Sequence, residues 1–358
     1  MPRFYSGHST ATPAEGSNPM TTIKDIARIS GYSLGTVSRV LNNHPDVSDK
    51  ARAQILAVVQ ELGFEPNANA KHLKMQTFSD IAVLVKGTQN PLFADILEKL
   101  QALLHAQGEG VFVAYLDEDA NEVKYALELC RIRRPKGFLF LGGDLEFFRQ
   151  DFAAITVPSV LLTNDASALS LPNLSSFSTD DAAAAQAAID YLVEAGHRAI
   201  GVLGGNLAQE QISYRRLQAV EAAMARHGLS FSRDVQHEPC RYSMQDGYAA
   251  AQRLLERAPH LSAVFALGDV IALGAMRAAR DRGLSVPADL SVVGFDGIVS
   301  GQFSIPRLTT LRQDTARLAE LAVESLLSRL HYAAPPRHQL IPFQLLPRES
   351  VQSLSPTP

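Results

Sequence analysis

From residue 79 to about residue 351, short apolar runs alternate with longer amphipathic stretches, and this alternation restricts the fold more than any other property of the sequence. IAVLV (81–85) precedes a helix-compatible stretch at 94–107, VFVAY (111–115) precedes one at 121–132, and GFLFLG follows from 137. SVLLT (159–163), AIGVLGG (199–205), SAVFALG (262–268) and SVVGFDG (291–297) continue the rhythm, with helical stretches at 182–195, 215–227 and 271–282. Strands that are apolar throughout need cover on both faces, so strand–helix alternation implies parallel sheets flanked by helices. Two such series imply two doubly wound lobes. In sheets of this kind ligands lodge beyond the carboxyl ends of the strands, and two facing lobes make a cleft there.

Residues 22–74 follow another period. Ile23, Ile26 and Ala27 form one apolar stripe and Val37, Val40 and Leu41 a second, with Gly31-Tyr32-Ser33 between them; this is the spacing of two short helices joined by a tight turn. Thr22 with Asp25 three residues on is a capping-box-like start, and Ser33 can accept the unpaired N–H groups of the second helix. A third helix is expected from about Asp49, where Ala51, Ile55, Val58, Val59 and Leu62 share a face and Gly63 stops it. Three such helices close one small core. The first two have the helix-turn-helix form, whose second helix presents its N-terminal side chains to the major groove.

A three-helix bundle with no role on DNA would show the same pattern, and the segment after Pro66 separates the two readings. Asn67-Ala68-Asn69-Ala70-Lys71-His72-Leu73-Lys74 is helix-compatible but has almost no apolar face. It is marginal alone and suited to folding on DNA. Leu73, between His72 and Lys74, is then an apolar wedge of the kind that unstacks a base step from the minor groove.

These segments resemble the headpiece of the lactose-repressor (LacI/GalR) family of bacterial transcription regulators: TIKDIAR, TVSRVLN, ELGFEPN and HLK match its pattern at its spacing. The resemblance implies that Leu34, Gly35 and Arg39 stand at base-reading positions of the recognition helix. It implies phosphate contacts from Thr22, Ser33, Thr36 and Ser38, and a minor-groove entry by Leu73 with Lys74 beside it. Arg39 can fork onto guanine O6 and N7, while Leu34 offers only apolar contact; Leu34 has the competing reading of packing with Val37 and Leu41. Gly35 reads nothing by side chain and admits close backbone approach. At Asn69 and Lys71 the hinge departs from the family pattern of a β-branched residue and an arginine.

The resemblance continues to about Val351 through NPLF, EAGHRAIGVLGG, RRLQAV, VPADLSVVGFDG, PRLTTLRQD and LLPRES, which are similar to the family's periplasmic-binding-protein-like core. It implies three chain crossings between the lobes, near 177–179, near 313–315 and around Gln339. The implied organisation is a tail over 1–20, a helix-turn-helix domain over 21–66, a hinge helix and linker over 67–78, and a core over 79–351 followed by a tail. Residues 79–177 and 314–337 form one lobe, and 178–313 and 338–351 the other. Carried onto this chain, the ligand site takes Phe93 as an apolar wall with Arg216, Asp269 and Asp296 as polar contacts; a carboxylate accepting from hydroxyls and an arginine fork suit a small polar molecule. Asp269 has a second reading, as the cap of a helix from Val270. Gly268-Asp269 and Asp296-Gly297 stand where the family usually has Asn-Asp and Asp-Asp, so an amide is missing from the expected sugar site.

The chain of 358 residues carries 33 basic and 37 acidic side chains, net −4, which if evenly spread would disfavour nucleic acid. Within 22–74, however, seven basic residues face five acidic ones, and local sign governs phosphate neutralisation. Residues 1–19, rich in Ser, Thr, Pro and Gly without an apolar run, read as a disordered tail rather than a secretory signal; Met20 offers a second start. No apolar stretch is long enough to span a membrane. Cys130 and Cys240 fit a reducing bacterial cytoplasm, as small buried side chains rather than a disulfide or metal ligands.

An enzyme on the same α/β core is the competing class. GVLGGN lacks the GxGxxG spacing, no Walker sequence, HExxH or Gly-x-Ser-x-Gly elbow occurs, and the ten histidines lack metal-ligand spacing. No catalytic residue, metal or cofactor is therefore expected. A free-standing small-molecule-binding protein is the other alternative, which the head argues against. The expected function is that of a DNA-binding repressor, a homodimer on a pseudo-palindromic operator, controlled by a sugar or related metabolite between the lobes.

Overall fold

The computed structural model describes residues 23–41, 46–62, 80–205 and 211–354. The chain divides into two units, Met1–Thr77 and Phe78–Pro358, each with its own core. The first holds α1 (Ile23–Ser30), α2 (Leu34–Leu41) and α3 (Asp49–Glu61) around Ile26, Val37, Val40, Ile55 and Val58. The turn between α1 and α2 forms because Gly31 takes φ +75° and returns its N–H to the Ala27 carbonyl at 3.1 Å. Ser33 Oγ then accepts from the Thr36 N–H at 3.2 Å, capping α2. Ser48 caps α3 through the Ala51 N–H, and the Gln54 amide donates to the Ser30 carbonyl, tying α3 to the end of α1. Thr22, Gly63, Leu73 and Lys74, with the roles expected of them, and the tail and hinge over 1–20 and 67–78 lie outside the described residues.

The second unit contains two six-stranded sheets. The first is formed by β1 (Ile81–Lys86), β2 (Val111–Leu116), β3 (Gly137–Leu141), β4 (Ser159–Leu162), β5 (Leu174–Thr179) and β11 (His338–Ile341), in the order β11-β5-β4-β3-β1-β2 and parallel throughout. Alternation along β1 sends Ile81, Val83 and Val85 to one face, packed with leucines of α4 (Pro91–Ala106) and α12 (Thr315–Tyr332). Ala82 and Leu84 face the other side with α5 (Glu122–Ile132) and α6 (Leu145–Asp151).

The second sheet is formed by β6 (Ile200–Leu203), β7 (His237–Glu238), β8 (Ala263–Ala266), β9 (Ser291–Asp296), β10 (Thr309–Arg312) and β12 (Gln344–Leu346), in the order β12-β10-β9-β8-β6-β7. Its strands are parallel except for β12, which runs antiparallel to β10. Helices α7 (Asp181–Glu194) and α8 (Ile212–Arg226) cover one face; α10 (Met244–Arg257) and α11 (Asp269–Asp281) cover the other, and the short α9 (Arg233–Gln236) leads into β7. Cys130 and Cys240 are free and half-buried. Among the described residues no helix is long and apolar enough to cross a membrane.

Two expected boundaries are corrected. Residues 338–341 belong to the first lobe, not the second: Gln339 pairs with Phe177, which closes what would otherwise be an open edge at β5. The third crossing therefore falls at Pro342-Phe343, where Phe343 already packs into the second lobe. Residues 352–354 are not a tail, since the Gln352 N–H donates to Ser291 Oγ and the Leu354 N–H to the Ala195 carbonyl at 2.7 Å.

Candidate functional site

In the head, Leu34 is 46% exposed, which sets aside its reading as core. Gly35 and Arg39 are also exposed on α2, and Thr36 and Ser38 are half-buried beside Ser33. A Cβ added at Gly35 would meet nothing nearer than Ser33 Oγ at 3.8 Å, so this turn of the helix presents open backbone. Ser33 and Thr36 hydroxyls hydrogen-bond each other at 2.9 Å at the N-terminus of α2, where N–H groups and the helix dipole favour an anion such as phosphate.

In the core, a cavity of ≈ 190 Å³ opens at the carboxyl ends of the strands of both lobes, many times the ~10–15 Å³ that one water needs. The first lobe contributes Lys86 at the end of β1, the start of α4 with Asn90 and Phe93, and the loops after β2, β3 and β4. Asn90 starts α4 by accepting the Leu92 N–H, with Pro91 in the first turn. Phe93 lies over the backbone at Gly142, where an added Cβ would stand 3.1 Å from its ring. The second lobe contributes Gln211 just before α8, Arg216 of α8, Tyr242 after β7, Asp296 at the end of β9, and Gln313 in the second crossing.

Arg216 is buried and largely committed. Its Nε and Nη2 donate to Asp181 Oδ1 at 2.7 Å, its Nη1 donates to the Leu267 carbonyl at 2.6 Å, and its guanidinium stacks 3.6 Å from the centre of the Phe295 ring. Burial raises Asp181 above the usual carboxylate range against the pull of Arg216; the Asp181 charge in turn raises Arg216 despite the opposing effect of its own burial. Asp296 accepts from Gln313 Nε2 at 2.7 Å and from Asn90 Nδ2 at 2.9 Å. Burial pushes it up to about 6, while the Arg216 charge and the two amides pull the other way. It holds φ +117°, a conformation rare for a side-chain-bearing residue, of the kind that concentrates at functional sites.

Thus Phe93, Arg216 and Asp296 are brought to one cavity, and Asp269 is not. Asp269 is wholly buried in the first turn of α11, with Oδ1 accepting from Thr310 Oγ1 at 2.6 Å and Oδ2 from the Ile298 N–H at 2.8 Å. Burial, aided by the Asp296 charge, raises it well above the usual range. It joins α11 to β10 and the loop after β9, so the ligand-contact reading is corrected. The cap reading also fails, because the residue before the helix is Gly268.

The two departures from the family pattern have local causes. A Cβ at Gly268 would lie 2.9 Å from the Tyr242 ring, and one at Gly297 2.5 Å from Arg312 Cγ; Tyr242 and Arg312 occupy the space that side chains there would need. Sequence reasoning missed Asn90, Asp181, Tyr242 and Gln313. Asn90 precedes a proline in a capping position, a signal that marks a helix start but not a ligand site.

Residues 22–67 match the family of bacterial regulatory proteins of the lacI type, and residues 189–351 match the periplasmic binding protein-like domain. The chain is 32% identical over 331 residues to the HTH-type transcriptional regulator MalR of Clostridium butyricum, spanning 92% of this chain and 98% of that one. Among solved structures, the lac repressor dimer bound to operator and the anti-inducer ONPF aligns with TM-score 0.70 at 28% identity, over 93% of this chain and 100% of the other. A complex of the transcriptional regulator CelR with cellobiose aligns with TM-score 0.67 at 26% identity, over 92% and 99%.

Proposed function

The chain belongs to the lacI family of bacterial regulatory proteins, DNA-binding transcription regulators rather than enzymes, and from that premise we propose that it is a homodimeric repressor acting in the bacterial cytoplasm. Its affinity for a pseudo-palindromic operator is set by a small, sugar-like effector held between the lobes. The observation that carries this reading is the convergence of Phe93, Arg216 and Asp296 on one cavity at the carboxyl ends of two parallel sheets. A relative of the same architecture holds cellobiose.

On the DNA side, Arg39 reads a guanine and Leu34 makes apolar contact in the major groove. Thr22, Ser33, Thr36 and Ser38 engage phosphates, Gly35 lets the backbone approach, and Leu73 with Lys74 enters the minor groove. Dimerisation matches two heads to two half-sites. Phe303 and Ile305, 78% and 98% exposed after β9, are apolar surface that a second copy would cover.

Across the cleft Asn90 bonds Asp296, Gln211 bonds Asp144 at 2.5 Å, and Arg241 pairs with Asp117 at 2.7 Å. An effector that replaces these bridges with its own changes the balance between lobe arrangements. Operator binding by the full chain should show a steep negative dependence of log affinity on log salt, where a free-standing small-molecule-binding protein would show none. Arg39→Ala should erase about 1–3 kcal/mol of preference at one base pair per half-site in a binding-site selection; an unchanged profile removes Arg39 from the reading surface.

A further inference from the structure

We infer that the cleft is built to refuse anionic ligands, with Glu122 and Asp181 behind its lining holding Lys86 and Arg216 in neutral pairs, so that the effector it accepts is a hydroxyl-bearing molecule without phosphate or carboxylate groups. The inference rests on the reading of this cleft as the effector site and narrows the ligand class.

Lys86 Nζ lies 2.7 Å from Glu122 Oε2, and the two side chains are 7% and 1% exposed. The other Glu122 oxygen accepts the Asp144 N–H at 2.7 Å. Burial raises Glu122 even beside the lysine, so the carboxylate depends on that partner. A phosphate or carboxylate that drew Lys86 toward the cavity would leave Glu122 buried and uncompensated, an arrangement costlier than the pair it replaces. Arg216 is held in the same way by Asp181 and the Leu267 carbonyl. Arg241, the third cation on the lining, faces Asp117, Glu118 and Asp119.

The acidic side of the cavity is not cancelled to the same degree. Asp117, Glu118, Asp246 and Asp296 all line it, so carboxylates outnumber cations before the two buried ones are added. What this lining offers is acceptors, which suit hydroxyl donors and repel a second anion. The hydroxyl of Tyr242 is buried with no hydrogen-bond partner among the described residues. A buried polar atom of that kind calls for a polar group from elsewhere, and Tyr242 lines the same cavity.

The test is isothermal titration of the full chain with matched sets: glucose, glucose 6-phosphate and glucuronate; ribose and ribose 5-phosphate; maltose and cellobiose. At least one neutral member should bind, with its phosphorylated or carboxylated counterpart at least tenfold weaker. Glu122→Gln, which frees Lys86, should narrow the gap between neutral and anionic members at least fivefold. Glu118→Gln should narrow it in the same direction without unpairing a buried lysine, so the result does not hang on one variant that fails to fold. An anionic member that binds as tightly as its neutral counterpart overturns the inference and leaves the effector cleft standing. A gap unmoved by both variants overturns it as well. If every member is silent, the reading of the cleft as a sugar site falls, and the inference falls with it.

Discussion

The two lobes repeat one strand–helix rhythm but are filled by opposite means. In the first, Phe138, Phe140, Phe148 and Phe152 form a connected series of rings with centroids 5.1–5.5 Å apart between successive members, so bulk closes the space between β3 and α6. In the second, α10 and α11 meet where bulk is missing. A Cβ at Gly274 would stand 2.2 Å from the Met244 carbonyl oxygen and 2.6 Å from the Tyr248 nitrogen, and one at Gly247 would stand 2.7 Å from the Ile271 backbone. The same topology thus tolerates different errors: the first lobe suffers from deletion and the second from addition. The division extends to the cleft, where the first lobe offers the Phe93 wall and the second the Arg216 fork and the Asp296 carboxylate.

The contrast can be broken at its strongest point by Phe140→Ala. Deleting a buried ring between two others should lower the stability of the core by about 3–5 kcal/mol, read from urea unfolding of the full chain; a loss under 1 kcal/mol would mean that the aromatic cluster is not what holds this lobe. Gly274→Ala tests the other side. Alanine brings about 1 kcal/mol of helix preference, but the new methyl meets two backbone atoms that cannot rotate away, an overpacking of about 1–3 kcal/mol. With a backbone atom as near as 2.2 Å the overpacking lies at the upper end of that range, so a net loss of roughly 1–2 kcal/mol is expected. Gly35→Ala, with nothing nearer than 3.8 Å, should keep the helix gain and serves as the control. If Gly274→Ala is as stable as the parent, the two helices are not in hard contact.

The smallest effect concerns the cleft itself. Asp296 is pushed up to about 6 by burial, and in its proposed role of accepting effector hydroxyls it would act best when ionised. Below that pH the free protein holds a proton that binding must expel, so effector affinity should fall by up to tenfold per pH unit and level off above about pH 7. Titrations at pH 5, 6, 7 and 8 check this. Flat affinity across the series would mean that the ligand binds the protonated acid equally well.

Much of this architecture was legible because periodicity survives wherever a surface is apolar. The head helices and the strands β1, β3, β8 and β9 announce themselves that way. Helices at the cleft start earlier than their apolar stripes: α4 at Pro91 rather than 94, α8 at Ile212 rather than 215, α11 at Asp269 rather than 271. Pro91, Ser213 and Asp269 interrupt the apolar pattern in those first turns, so periodicity alone places the starts too late. Strand β5, LSSFST, left no apolar run although every residue in it is buried. Its hydroxyls are satisfied one by one: Ser175 by Ser325, Ser176 by His338, Ser178 by Asp181, and Thr179 by Gln313. The partners of Asp296 were unreadable for a related reason. Asn90 sits 206 residues away along the chain, and no local pattern marks a side chain whose role is set by a contact that distant. Asp269 shows the converse, since an acidic residue at the end of an apolar run resembles a ligand contact until its two oxygens are seen to be occupied.

The late strand β11 has a consequence for how such a chain is made. Five strands of the first sheet are complete by Thr179, but the sixth supplies His338 to Ser176 from 162 residues further on, and α12, which covers one face, also comes late. At a synthesis rate of about 5–20 residues per second, that delay is roughly 8–30 s, during which the second lobe is translated except for β12 and the stretch after it. The lobe that leaves the ribosome first therefore waits for nearly the whole chain before it is finished, only a few residues ahead of the second lobe, and its open strand has to be kept from other nascent chains until β11 has been read.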